Sequence, residues 1–158
     1  MEEALRTEFL RTISAQTDRI AELVEILLHL ARFDAGTIHY HRKKTALRCV
    51  IEGALSDLEI LREVSQVEVE TSGALDLELL LDEYWEREAI KNIFKNCMEH
   101  SPAGSTVHVK AEDCGLFARI VIRDEGEGID AEDLPHIFER FYKAKNSAAG
   151  SIGIGLSL

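Results

Sequence analysis

The chain reads as an α/β protein: a two-layer α/β sandwich, with helices on one face of a mixed sheet, preceded by a long N-terminal helix. Three observations predict this. Residues 4–34 repeat apolar side chains at spacings of three, four and seven. From residue 46 onward, helix-like and strand-like segments interleave without the strict alternation of an all-parallel sheet. The 158 residues, 46% hydrophobic and 30% charged, suit one good core with room for an appended helix.

In the first element Phe9, Ile13, Ile20, Leu23, Leu27 and Leu30 carry the apolar stripe, and Val24, Leu28 and Ala31 widen it. A helix from Ala4 to Phe33 would be about 45 Å long at about 1.5 Å per residue. That exceeds what a small domain needs. With Gln16 on the seam, it suits a helical hairpin or bundle partner better than an ordinary core helix. Gly36 is placed to terminate it as the left-handed residue just past the end. A short strand is expected at Thr37–Arg42. A second helix is expected from Ala46 to Val64, with Leu47, Val50, Ile51, Leu55, Leu58 and Leu61 on one side. Val67–Glu70 alternates as a strand does and is broken at Gly73, whereas Leu75–Leu81 is mostly apolar and fits strand or helix equally. Glu83–Glu99 reads as a third helix, closed by Ser101-Pro102-Ala103-Gly104, with Ile90, Ile93, Phe94 and Met98 available to the core. Thr106–Ala111 and Phe117–Arg123 read as strands paired around Asp113-Cys114-Gly115, and the chain beyond Asp124 is rich in loop residues.

Composition narrows the function. A net charge of −11 argues against non-specific binding to nucleic acid or an anionic membrane, which needs a basic face. It leaves room for a small anionic ligand held by local dipoles and a few cations. Cys49, Cys97 and Cys114 are widely spaced and odd in number, which fits neither a disulfide scaffold nor a zinc site and suits a reducing compartment. No apolar run reaches the roughly 20 residues of a membrane span, and the acidic Met1-Glu2-Glu3 start is unlike a secretory leader. The expected location is therefore cytoplasmic.

Chemistry concentrates in the C-terminal half. Asn92 and Asn96 stand one helical turn apart, so both carboxamides project from one face of the third helix. A neutral amide oxygen can ligate Mg²⁺ without repelling a triphosphate, although two asparagines on a helix are unremarkable alone. Asp124 follows the apolar Ile120-Val121-Ile122 and opens the turn Asp124-Glu125-Gly126-Glu127-Gly128-Ile129. A carboxylate there can accept the exocyclic amino hydrogen of adenine, where guanine presents an oxygen. Gly126 and Gly128 permit positive φ and a close approach to a base. An acidic surface turn is the bland alternative; an EF-hand is disfavoured because Gly126 stands third in the loop rather than sixth. Ile137, Phe138 and Phe141 could anchor the polar segment 142–149 to the core. Lys143 and Lys145 in that segment are candidate phosphate contacts, nearly balanced against plain solvated lysines. Gly150, Gly153 and Gly155 then lead into Leu156, a glycine loop that could offer N–H groups to phosphate at a helix start. It is not a P-loop, because no Gly-Lys-Ser/Thr follows.

Taken together and in this order, these stretches resemble the ATP-binding domain of sensor histidine kinases, in the superfamily shared with gyrase, heat-shock chaperone and mismatch-repair ATPases. Asn92-Ile93-Phe94-Lys95-Asn96 resembles the family's N box, Asp124–Ile129 its G1 box, Ile137–Tyr142 its F box and Gly153-Ile154-Gly155-Leu156 its G2 box. Residues 19–36 resemble the second helix of the family's dimerisation bundle and its exit. The resemblance implies residues 1–36 as part of that bundle and residues 37–158 as an ATP-binding domain whose C-terminal end is incomplete. It implies ATP and Mg²⁺ as cofactors, Asn96 as the metal-ligating asparagine and Asp124 as the adenine-reading aspartate. Asn92, Gly126, Gly128, Ile129, Lys143, Lys145, Gly153, Gly155 and Leu156 complete the implied nucleotide site. The implied partners are a second copy through the N-terminal helix and a response regulator, with no nucleic acid, and a membrane only through parent segments outside this sequence.

The sequence departs from the family at several points. None of His29, His39, His41, His100, His108 and His136 is followed by an acidic residue and then Thr-Pro, so no phospho-acceptor motif is present and self-phosphorylation is not expected. Glu99 stands where the family often has Lys or Arg, and Ile152 where it often has Thr. Asn92 stands where ATP-hydrolysing relatives carry a glutamate base, which favours phosphoryl transfer over hydrolysis. Two other readings compete: a serine-protein-kinase anti-sigma factor, which would not be expected to carry the long first helix, and an interaction module that binds no nucleotide.

Overall fold

The computed structural model describes residues 2–144, 153 and 155–157. The chain divides into two compact units between His39 and Tyr40. The first is dominated by one helix, α1 (Glu2–Asp34). Its end is a Schellman turn: Gly36 adopts φ +61°, its N–H donates to Phe33 O, and the Thr37 N–H reaches back to Arg32 O. Phe9, Ile13, Ile20, Val24, Leu27 and Leu28 are all exposed along α1.

Among its described residues the second unit holds two sheets and three α-helices. β1 (Lys43–Ala46) pairs antiparallel with β3 (Glu78–Leu81), Lys43 opposite Leu81 and Ala46 opposite Glu78. β2 (Glu68–Gly73) runs parallel to β4 (Thr106–Asp113), which pairs antiparallel with β5 (Ala118–Arg123), giving a mixed three-stranded sheet in the order β2-β4-β5. The parallel pair requires a crossover, and α4 (Glu83–His100) lies within it.

Alternation assigns the faces. Val107, Val109 and Ala111 of β4 are buried while His108 and Lys110 between them are exposed. On β5, Ile120 and Ile122 turn inward and Arg119, Val121 and Arg123 outward. The inward face meets α4 and α2 (Leu47–Asp57), whose Val50, Ile51 and Ala54 join Phe94 and Met98 in a single core. The other face carries no helix of this unit among the described residues. The two-layer α/β sandwich with helices on one face of a mixed sheet is the architecture found.

Two expected elements differ. The strand placed at Thr37–Arg42 forms instead at Lys43–Ala46, because β3 sets the register and the His41 N–H donates to the Asp82 carboxylate at 2.7 Å rather than to a strand. The helix expected over Ala46–Val64 is two: α2, and α3 (Glu59–Ser65), separated at Leu58 with φ −109° and ψ 13°. Ser56 and Asp57, which compete for backbone hydrogen bonds, precede the break. Asp57 is drawn to α4, where Arg87 Nε lies 3.3 Å from Asp57 Oδ2 as an ion pair without hydrogen-bond alignment. Leu75–Leu81 resolves into a turn followed by β3. Among the described residues no helix is long and apolar enough to cross a membrane.

Candidate functional site

α4 is the spine of the site. Asp82 caps its start, its Oδ1 accepting from Tyr84 N at 3.1 Å and Trp85 N at 3.4 Å, and Glu83 and Glu86 follow in the first turn. Ile90, Phe94, Cys97 and Met98 anchor the helix in the core. That anchoring fixes the rotation of the helix and leaves Asn92 and Asn96 half-buried, one turn apart. Neither carboxamide has a hydrogen-bond partner among the described residues. Ile93, expected to be available to the core, is exposed.

Two glycine segments converge on this helix. Gly155 opens a 3-10 turn, Gly155–Ser157, packed on α4, and a Cβ built on Gly155 would lie 4.0 Å from Asn92 Oδ1. Among the described residues, the helix expected after the glycine loop is this single turn. Leu156 within it is half-buried. Toward the other end of α4, Asp124 leaves β5 half-buried and its Oδ1 accepts from Gly126 N at 2.8 Å. Gly126 is pressed against the last turn: a Cβ there would come within 2.7 Å of His100 O and 2.8 Å of Asp124 Oδ1, so no side chain fits without a shift. Burial, then the charge of the Asp124 carboxylate, push the Cys97 thiol up to about 12. Gly128 adopts φ +78° facing open space, and Ile129 beside it is exposed.

The segment between these glycines is held differently from expectation. Phe138 and Phe141 are 68% and 58% exposed, so they do not plug the core, and Ile137 is only half-buried. The segment is fastened by polar contacts instead. Buried Asp133 accepts from Tyr142 Oη at 2.5 Å, a bond that raises the phenol above its ordinary value. His136 Nδ1 lies 2.7 Å from Glu139 Oε1, and the His136 and Tyr142 rings stack with centroids 5.2 Å apart. Phe141, at φ +67°, donates its N–H to Gly153 O at 2.7 Å. A Cβ on Gly153, at φ +72°, would lie 2.1 Å from Tyr142 O. Lys143 is exposed; Lys145 lies outside the described residues.

Asn92 and Gly155 are thus neighbours, and Gly126, with the Asp124 carboxylate bonded to it, meets α4 at His100, four residues beyond Asn96. The donor set suits a magnesium nucleotide. Mg²⁺ is commonly held by one or two protein oxygens with waters and phosphates completing the shell. Among the described residues no three His, Cys, Asp or Glu side chains gather into a cage. Sequence reasoning found the asparagines, Asp124 and the glycines. It missed the Asp133–Tyr142 bond, which links residues without shared spacing; the Asp82 cap had a signal, an aspartate just before a helix.

Over most of its length the chain is similar to known proteins. The family described as histidine kinase-, DNA gyrase B-, and HSP90-like ATPase matches residues 82–158. The sensor-like histidine kinase SenX3 of Mycobacterium tuberculosis is 27% identical over 153 residues, covering 95% of this chain and 37% of the relative. Drug sensory protein A of Synechocystis sp. is 31% identical over 169 residues, covering 100% of this chain and 25% of the relative. The chain therefore spans between a quarter and two-fifths of the length of these two curated relatives. Among solved structures, the mycobacterial sensor histidine kinase MprB aligns at TM-score 0.64 and 26% identity, over 73% of this chain and 75% of that one. The Acinetobacter baumannii histidine kinase AdeS shares the fold at TM-score 0.73 and 21% identity, over 84% of this chain and 65% of that one. Residues 82–158 thus match the histidine kinase-, gyrase B- and HSP90-like ATPase family, and the chain carries an ATP-binding catalytic domain of the sensor histidine kinase kind.

Proposed function

We propose that this chain binds Mg-ATP along α4 and serves phosphoryl transfer to a histidine outside this sequence, as part of a two-component sensor histidine kinase. The observation that carries the reading is the convergence on one helix of an amide pair, a glycine turn and a carboxylate at a strand end. Asn96, with Asn92, would hold Mg²⁺; the ion supplies charge neutralisation at the phosphates when bound. Asp124 would accept the adenine amino hydrogen. Its Oδ1 is already oriented by the Gly126 N–H, so less ordering is left for the moment of binding. Gly126, Gly128 and Ile129 would shape the base pocket, and Lys143, Lys145, Gly153, Gly155 and Leu156 would line the phosphate side. Asn92 offers no carboxylate to take a proton from water, which supports transfer over hydrolysis.

In the parent protein we assign residues 1–36 to the second helix of a dimerisation bundle and residues 37–158 to the ATP-binding domain. A second copy would associate through α1, a response regulator would receive the phosphoryl group, and the domain would work in the cytoplasm. Calorimetric titration tests the nucleotide site directly. Mg-ATP should bind and Mg-GTP should bind at least about tenfold more weakly, since a carboxylate facing a guanine oxygen is left unpaired. Asp124→Asn should lose about tenfold or more of the ATP affinity. Equal binding of both nucleotides, or none of either, would sink the reading.

A further inference from the structure

We propose that Lys91 supplies positive charge to the phosphates of the bound nucleotide: its ammonium, turned along α4 to Glu88, flanks the Asn92–Asn96 row and would meet a phosphate oxygen there. The inference rests on the nucleotide site proposed above and adds to it a residue that precedes the asparagine pair.

The need is electrostatic. The chain carries a net charge of −11, and a triphosphate keeps negative charge even with Mg²⁺ bound. Acidic side chains surround the asparagines: Glu88 stands one turn before Asn92 on α4, Glu99 stands three residues after Asn96, and Asp124 follows β5. A cation on α4 itself offsets them from the element that presents both amides, and its distance from those amides is fixed by the helix.

The geometry provides one. Helix spacing places Glu88, Asn92 and Asn96 in a single row, with successive Cβ atoms about 5–6 Å apart. Lys91 lies beside that row and is turned onto it, its Nζ pairing with Glu88 Oε1. The pair is sheltered: the Lys91 and Glu88 side chains are 26% and 23% exposed, against 42% and 81% for Arg48 and Asp76. The shelter belongs to this side of the helix. Glu88, Lys91, Asn92, Lys95 and Asn96 are all half-buried, while Ala89 and Ile93 on the other flank of Asn92 are exposed. The Gly155–Ser157 turn packs on the same helix, with Gly155 beside Asn92.

A lysine so placed lays its apolar stem along the protein and delivers its ammonium to an anion. In this structure the anion is the Glu88 carboxylate, and a phosphate oxygen presents the same charge and acceptor chemistry. An ammonium has three N–H donors, so Nζ can keep Glu88 on one and bond a phosphate with another. Partial burial reduces screening, which makes this charge worth more to a nearby anion than an open surface lysine.

Calorimetric titration of the full chain with Mg-ATP tests the proposal. Lys91→Gln should weaken binding by about 5–30-fold, the range for one charge-assisted contact at a half-covered position. Lys91→Arg, which keeps the charge, should stay within about threefold of wild type. The loss should persist in a Glu88→Gln background, where no carboxylate is left in need of a partner. Added salt should weaken wild type more steeply than Lys91→Gln, which has one charge contact fewer to screen. Lys110→Gln removes the same charge from the outward face of the sheet, where Lys110 pairs with Glu112, and should bind as wild type does. Thermal unfolding without nucleotide checks that each variant is folded, and Lys91→Met, which keeps the apolar stem, replaces Lys91→Gln if the latter is not. Lys91→Gln binding Mg-ATP as tightly as wild type would overturn the proposal. A loss that vanishes in the Glu88→Gln background would also overturn it, since Lys91 would then only neutralise Glu88. An equal loss in Lys110→Gln would trace the effect to net charge and do the same. Wild type binding no Mg-ATP would instead overturn the nucleotide site itself, and this inference with it.

Discussion

Glycines carry unequal demands in this protein, and the differences are measurable. Gly73 ends β2 at φ +85° opposite Ala111 of β4, and a Cβ would sit 2.1 Å from Ala111 O. Backbone against backbone cannot yield as a flexible side chain can. Gly73→Ala should therefore cost more than the roughly 1–2 kcal/mol of a left-handed residue alone, and should shift the urea midpoint well beyond experimental error. Gly128 has positive φ but nothing within 4 Å of its would-be Cβ, so Gly128→Ala should cost only the conformational part. Equal destabilisation by the two would contradict this account. Gly153 combines both constraints at the join between Phe141 and the 3-10 turn, so Gly153→Ala should disturb the region beside Asn92. The wording Asp124–Gly128 and Gly153–Gly155 made these glycines legible in the sequence as turn formers. The crowding around Gly73 and Gly126 was not legible, because it comes from His100 and Ala111, which are remote in sequence and brought close only by folding.

Helix α4 joins stability to the proposed function, since its inner face is core and its Asn92–Asn96 face is the proposed nucleotide site. Phe94 is fully buried, and Phe94→Ala should cost about 3–5 kcal/mol; because the cavity lets the helix shift, Mg-ATP affinity should fall in the same variant. Asp82 acts at the other end of the scaffold. It caps α4 and also accepts the His41 N–H, so Asp82→Ala should lower the thermal midpoint by a few degrees, loosening the β1 approach together with the helix start. The His41 N–H, followed by those of Trp85 and Tyr84, holds the Asp82 carboxyl below its ordinary value of 3.8. A depressed carboxylate stabilises fully above the unfolded-state value and less as pH falls through the folded one. Acid unfolding of wild type against Asp82→Asn should converge below that lower value and separate above pH 4; curves parallel throughout would refute the cap's role. Periodicity made α1 and α4 legible because long amphipathic stripes are unambiguous. It failed over 37–46, where Thr37, Ile38 and Tyr40 suit a strand but pairing with β3 decides its position. It failed again at Leu58, where Asp57 answers to Arg87 of α4 rather than to its own neighbours.

The two units differ in how their apolar surface is used, and that difference predicts separable behaviour. Residues 40–157 bury a core running from Leu47 to Ala111, with Ile120 and Ile122 packed against it, and every residue of that core belongs to this unit. Residues 1–39 instead place Phe9, Ile13, Ile20 and Leu27 in an exposed row along α1, a row that a lone helix in water has no means to bury. The parent assembly proposed above, two copies joined through this helix, would cover it. A chain starting at Tyr40 should then keep the thermal midpoint of the longer chain and its Mg-ATP affinity to within about twofold, since every residue of the Leu47–Ala111 core cluster is retained. The full chain should sediment as a concentration-dependent oligomer, and Ile13→Glu with Leu27→Glu should return it to monomer by burying charge in the seam. The shortened chain should be monomeric at every concentration. If it self-associates as strongly as the full chain, the dimer seam lies in the nucleotide-binding unit and α1 has been assigned the wrong work. If it fails to fold, the second unit depends on the first for stability, and the exposed row on α1 serves its own chain rather than a partner's.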